Sequence, residues 1–108
     1  METINFEDFL KVDLRLGKIV EAEKVEGSVK IIKTIIDLGE TKKQILAGIG
    51  EYYNPEDLIN KNVVIVANLS PKKIMGMDSE GMMLALKDEN NLSLLFTDKD
   101  IEKGSRVS

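Results

Sequence analysis

The chain has 108 residues, a formal net charge of −4, and neither cysteine nor histidine. That length supports one domain, residues 1–108, with a modest core. The missing residue types exclude disulfides and thiolate metal sites and remove the commonest general base and zinc ligand. The acidic balance argues against indiscriminate nucleic-acid binding, and no apolar run approaches the length of a membrane span. The start at Met1-Glu2-Thr3 has none of the features of a secretory leader, so a cytoplasmic protein is the expectation.

In chain order, Asn5 ahead of Phe6-Glu7-Asp8-Phe9-Leu10 predicts a short capped helix. Residues 12–25 predict a long strand in which Val12, Leu14 and Leu16 alternate with polar neighbours. The alternation is disturbed after Gly17, which predicts a bulge or bend there. Gly27-Ser28 marks a turn. The β-branched run 31–38 predicts a strand, Gly39–Lys43 a polar hairpin loop and Gln44–Ile49 the returning strand. Asn54-Pro55-Glu56-Asp57 is a helix start with proline at the first position and acids in the first turn. V-V-I-V-A at 63–67 predicts a buried strand. Met82–Leu86 and Leu92–Phe96 predict two more strands around a turn at 88–91. A short helix between the third and fourth of about five strands is the arrangement of the OB-fold, an all-β Greek-key barrel. Here it would carry a β-rich C-terminal extension. An SH3-like barrel is the structural competitor, but it lacks a full helical turn at that point.

Catalysis finds little support. Asp78 and Glu80 flank Ser79 without a nucleophile–base–orienter set. Asp98 and Asp100 do not complete a calcium loop, and Gly48-Ile49-Gly50 lacks the helix and lysine of a phosphate loop. No catalytic residue, metal or cofactor is assigned. Binding is better supported, because the charge is unevenly spread. Residues 61–77 hold Lys61, Lys72 and Lys73 and no acid, and residues 28–45 hold Lys30, Lys33, Lys42 and Lys43 against Asp37 and Glu40. The segment N-L-S-P-K-K-I-M-G-M-D-S-E-G-M at 68–82 joins a lysine pair to a glycine-punctuated loop. If the fold gathers both basic zones on one side, they make a phosphate-attracting face. Aromatic residues are only 5% of the chain and fall mostly outside the strands of that face. This argues against generic single-strand binding and for recognition of a folded RNA by its shape.

F-E-D-F-L at 6–10, K-V-D-L-R-L-G-K-I at 11–19, P-E-D-L-I-N-K-N-V-V-I-V-A-N-L at 55–69, P-K-K-I-M-G at 71–76 and S-E-G-M at 79–82 together resemble the tRNA-binding domain family. Its members occur at the C-terminus of methionyl-tRNA synthetases and as free-standing structure-specific tRNA-binding proteins. The resemblance implies an OB-fold that binds tRNA by shape and pairs as a homodimer through its terminal segments. It also implies a possible association with a methionyl-tRNA synthetase catalytic subunit, raising local tRNA concentration without chemistry of its own. Carried onto this chain, the family's RNA-contacting positions are Lys30, Lys33, Asn68, Lys72, Lys73, Ser79 and Met82. Lysines would meet phosphates, and Asn68 and Ser79 would bond RNA or hold the loop. Met82 would pack on a sugar or base, or else in the core.

Many relatives carry H-P-x-A-x-K between the first two strands, where this chain has Val25-Glu26-Gly27-Ser28-Val29-Lys30. The loss of proline leaves the rigidity of that loop open. The alternative function is that of a CsaA-type export-associated chaperone of the same fold. Those proteins typically lose the glycine and methionine of S-E-G-M, present here as Gly81 and Met82, which favours tRNA. A purely structural dimerisation domain is a third option. The start at Met1 without a linker favours a free-standing protein.

Overall fold

The computed structural model describes all residues 1–108. In order along the chain come α1 (Phe6–Leu10), β1 (Leu14–Lys24), β2 (Ile32–Asp37), β3 (Lys42–Ala47), α2 (Pro55–Leu58), β4 (Asn62–Val66), β5 (Lys72–Ile74), β6 (Met77–Ser79), β7 (Met82–Met83), β8 (Ala85–Lys87) and β9 (Leu92–Leu94). Five strands form one antiparallel sheet in the order β3-β2-β1-β4-β7, with β5-β6 and β8-β9 as separate hairpins. The sheet curls into a nearly closed barrel of the expected OB type, with α2 between β3 and β4.

β1 is long enough to serve two neighbours. Its second half pairs with β2 and its first half with β4, so the strand must bend between them. The bend is not at Gly17. The β1–β2 register steps from Ile19↔Ile36 to Glu21↔Ile35, which makes Val20 the extra residue of a bulge. The bulge resets the inward face, from Gly17 and Ile19 before it to Ala22 after it, opposite the buried Thr34; Leu16 lies on the other face of β1, opposite Val64, and is also buried. Gly17 is a glycine for a different reason: a Cβ there would press into Ile36 Cγ2 and lie 3.1 Å from Leu38 Cδ2.

The barrel is filled by aliphatic side chains. Ile19, Ile32, Ile36, Ile45, Val63 and Ile65 are fully buried, and Leu58 of α2 joins the same cluster. The turn after α2 is tied to β1, with Ile19 N donating to Lys61 O and Asn60 N to Ile19 O. Thr34 is buried among the aliphatics because its Oγ1 donates to Ile45 O at 2.7 Å. Neither Asn5 nor Asn54 caps its helix with its side chain; the backbone carbonyls of both residues accept the first-turn N–H groups instead.

The predicted strand 82–86 is broken at Leu84. β7 pairs with β4, and β8 then turns away to pair with β9. The C-terminal tail covers the part of β1 that β2 leaves unpaired: Leu16 N donates to Ser105 O, Gly104 N to Leu16 O and Val107 N to Leu14 O. It is anchored by Lys103, whose Nζ lies 2.9 Å from Asp37 Oδ2. The Gly39 N–H and Lys103 hold the Asp37 carboxyl below the usual carboxylate range. No helix is long and apolar enough to cross a membrane.

Gly17→Ala overpacks the β1–β2 contact. The expected cost is about 1–3 kcal/mol, read as a lower urea midpoint at unchanged m-value.

Candidate nucleic-acid interface

The glycine-punctuated loop expected within 68–82 contains a β-hairpin. Lys72↔Ser79, Lys73↔Asp78 and Ile74↔Met77 pair across it. The two-residue turn Met75-Gly76 has positive φ at both positions, 51° and 79°, the geometry of a primed hairpin turn. Such turns favour Asn-Gly, so Met-Gly gives no clear hairpin signal.

The hairpin is strapped to β3 largely by side chains. Ser79 is only 4% exposed. Its Oγ accepts Leu46 N at 3.0 Å and donates to Gly81 O at 3.2 Å. Glu80 Oε1 accepts Gln44 N at 2.8 Å, Glu80 N donates to Gln44 O at 2.7 Å, and Gln44 Nε2 donates to Asp78 O at 2.9 Å. Ser79 therefore positions the hairpin, and its hydroxyl is committed inside the protein. Glu80 is likewise a strap and not a free loop acid.

The β1–β2 loop stands beside this hairpin. A Cβ on Gly27 would lie 3.9 Å from Met75 Cε at the hairpin tip. Ser28 supplies the order that a proline would have given, with its Oγ accepting both Lys30 N and Ile31 N at 3.1 Å. Lys30 is exposed, and its carbonyl takes Gly50 N at 2.7 Å. Lys33 faces outward on β2, opposite Glu23 and Leu46. Its Nζ is 3.1 Å from Glu23 Oε1. Lys73 Nζ is 3.2 Å from Asp78 Oδ1. Lys30 and Lys72 are free of such partners. Lys30 and Lys33 thus come from the β1–β2 loop and β2, and Lys72 and Lys73 from the hairpin beside that loop, where Lys72 shares a strand face with Ile74 while Lys73, opposite Asp78, is on the other. Lys42 and Lys43 do not join them, lying at the opposite end of the β2–β3 pair.

Asn68 serves the N-terminal segment. Its Oδ1 accepts Asp13 N at 2.9 Å and its Nδ2 donates to Lys11 O at 2.7 Å. Met82 is 48% exposed while its neighbour Met83 is buried, so the core reading of Met82 is corrected. Met82 lines a largely apolar groove of about 580 Å3 together with Leu46, Gly48, Ile49, Lys72 and Ile74. The groove has no sequence signal: Leu46 and Ile49 read as ordinary residues of the returning strand, and Gly48-Ile49-Gly50 only resembles a phosphate loop.

Two exposed aromatics, Phe96 and Tyr52, lie under lysines instead of presenting free rings to the face. Lys61 Nζ is 5.8 Å from the Phe96 centroid and Lys87 Nζ 5.9 Å from that of Tyr52. No group of three or more acidic side chains is placed to hold a metal ion. The arrangement can attract anionic backbone through lysines and receive an apolar or planar group beside them.

Residues 14–106 match the family model described as "Putative tRNA binding domain". The chain is 54% identical over 108 residues to a methionine–tRNA ligase of Caldanaerobacter subterraneus subsp. tengcongensis, an alignment covering all of this chain and 17% of that enzyme. The chain thus spans less than a fifth of that curated relative's length. Among solved structures it is similar to a MetRS related protein from Pyrococcus horikoshii, with TM-score 0.94, 33% identity and full coverage of both chains. It is also similar to the chaperone CsaA of Bacillus anthracis, with TM-score 0.89, 38% identity and coverage of 99% of this chain and 100% of that one.

Ser79→Ala leaves the buried Leu46 N–H without its acceptor. A loss of about 1–3 kcal/mol is expected in chemical denaturation, with faster hydrogen exchange at Leu46 than at the neighbouring Ile45.

Proposed function

This chain belongs to the tRNA-binding domain family, and from that premise we propose that it binds folded tRNA by shape, through the face framed by Lys30, Lys33, Lys72 and Lys73. It is a tRNA-binding domain related to part of methionine–tRNA ligase and contains no catalytic domain of that enzyme. The observation that supports the reading is the approach of the β1–β2 loop to the β5–β6 hairpin, Gly27 against Met75, since these two elements carry lysines from separated stretches of an acidic chain. Phosphates would displace Glu23 and Asp78 from Lys33 and Lys73, and exposed ion pairs of this kind contribute little on their own. The shortage of free aromatic rings there favours contact with phosphates and 2′-hydroxyls of a folded RNA over base stacking along a strand. Asn68 acts by holding the N-terminal segment and Ser79 by holding the hairpin; Met82 contacts RNA directly.

The role is that of a tethering module. Acting in trans or beside a synthetase catalytic subunit in the cytoplasm, it would raise the concentration of tRNA near the enzyme. The molecule would act as a homodimer. α1 buries none of its residues, and Ile4, Phe6, Leu10 and Val12 all stay exposed around it. A five-residue helix is not stable without packing, and a second copy covering the same segment would supply it symmetrically.

Filter binding of total tRNA across ionic strength tests the face. Lys72→Ala should weaken binding and reduce the slope of log affinity against log salt by roughly 0.7–0.9, the value of one phosphate contact. Glu23→Gln, which frees Lys33, should strengthen it. An unchanged slope in Lys72→Ala, or poly-uridine competing as well as folded tRNA, would overturn the assignment. For the pairing, Leu10→Glu should convert a dimer to a monomer in light scattering at micromolar concentration; a monomeric unmodified protein would refute it.

A further inference from the structure

The groove beside the hairpin has no role in phosphate binding, yet it opens on the same face. Lys72 belongs to its lining, so an RNA backbone held by that lysine passes along its rim. Its other walls are apolar: Leu46 and Ile49 at the end of β3, Ile74 on the hairpin and Met82 on β7. At about 580 Å3 it has the size of a small-molecule cleft. Its glycines are telling. Gly81 is crowded, with a Cβ meeting Val66 O at 2.7 Å, whereas a Cβ on Gly48 would meet nothing within 4 Å. Gly48 also lacks a positive φ. Neither crowding nor a left-handed backbone calls for a glycine at 48, and the space in front of it is open groove.

We propose that this groove receives one unpaired nucleobase of the bound tRNA, inserted between Met82 and the β3 end while its phosphate rests on Lys72. The inference rests on the tRNA-binding reading above and names a subsite within it. A base turned out of its stack brings two faces to be covered, and apolar side chains can cover them where aromatic rings are lacking. A cation on the rim complements the phosphate that every nucleotide carries. An uncharged apolar ligand would gain nothing from Lys72.

Gly48→Leu fills the groove and removes no charge. It should lower tRNA affinity roughly tenfold, within the range that one stacked base contributes, while the salt slope stays that of the unmodified protein. This separates it from lysine variants, which change the slope. In the unmodified protein labelled at methionine methyls, folded tRNA should shift the Met82 resonance upfield through the ring current of the base. Heparin, a polyanion without bases, should leave it in place. Full affinity in Gly48→Leu, or a Met82 methyl moved equally by heparin, overturns the subsite while tRNA binding stands. Failure of the unmodified protein to bind tRNA at all overturns the functional reading itself. Displacement of tRNA by an unfolded apolar polypeptide that shifts the same methyl would assign the groove to peptide instead.

Discussion

The barrel closes on a seam that is not a strand ladder. β3 and β7 end the sheet on either side, and the gap between them is bridged at Ser79 and Glu80, whose side chains take the N–H groups of Leu46 and Gln44. Two buried or half-buried backbone donors would otherwise have no partner, and each would cost on the order of 1–3 kcal/mol. The seam thus satisfies the edge of β3 and fixes the direction of the hairpin. The height of Lys72 and Lys73 above the sheet follows from it, and so does the existence of the groove, because Leu46 is wall to one and anchor to the other.

The electrostatic design is local. A molecule with excess acid repels polyanions at a distance, so attraction must come from groups at contact range. Of the four lysines proposed to meet RNA, two rest against acids, Lys33 on Glu23 and Lys73 on Asp78. Lys30 and Lys72 remain free to meet a ligand first. Such an arrangement rewards a ligand whose phosphates are correctly spaced and gives little to one that is merely charged.

Much of the architecture was legible in the residues. The β-branched runs at 31–38 and 63–67 and the proline opening α2 placed three elements nearly where they occur, because local propensity and barrel burial agree there. Gly17 misled because a glycine in a strand signals either a bend or a close contact, and only the position of Ile36 decides between them. The disturbed alternation after Gly17 signalled the bulge, and only the strand register places it at Val20. The hairpin at 72–79 was hidden because Met75 sits in a left-handed conformation that sequence rules reserve for Asn, Asp or Gly. The work of Ser79 and Asn68 was ambiguous for a related reason: their partners are 33 and 55 residues away, and no short-range pattern encodes them. The lysine clusters were visible as charge because exposed charge needs no partner to be noticed.

The two extremities of the chain are fastened to each other. Arg106 donates to the carbonyl of Leu10 and reaches Asp13, and its backbone bridges to Arg15. Entry and exit of the polypeptide therefore share one flank. Any sequence joined at either end departs from the same corner, so a graft to a larger protein leaves the threading of the barrel untouched. A unit fastened in this way can be carried as a pendant by a longer polypeptide.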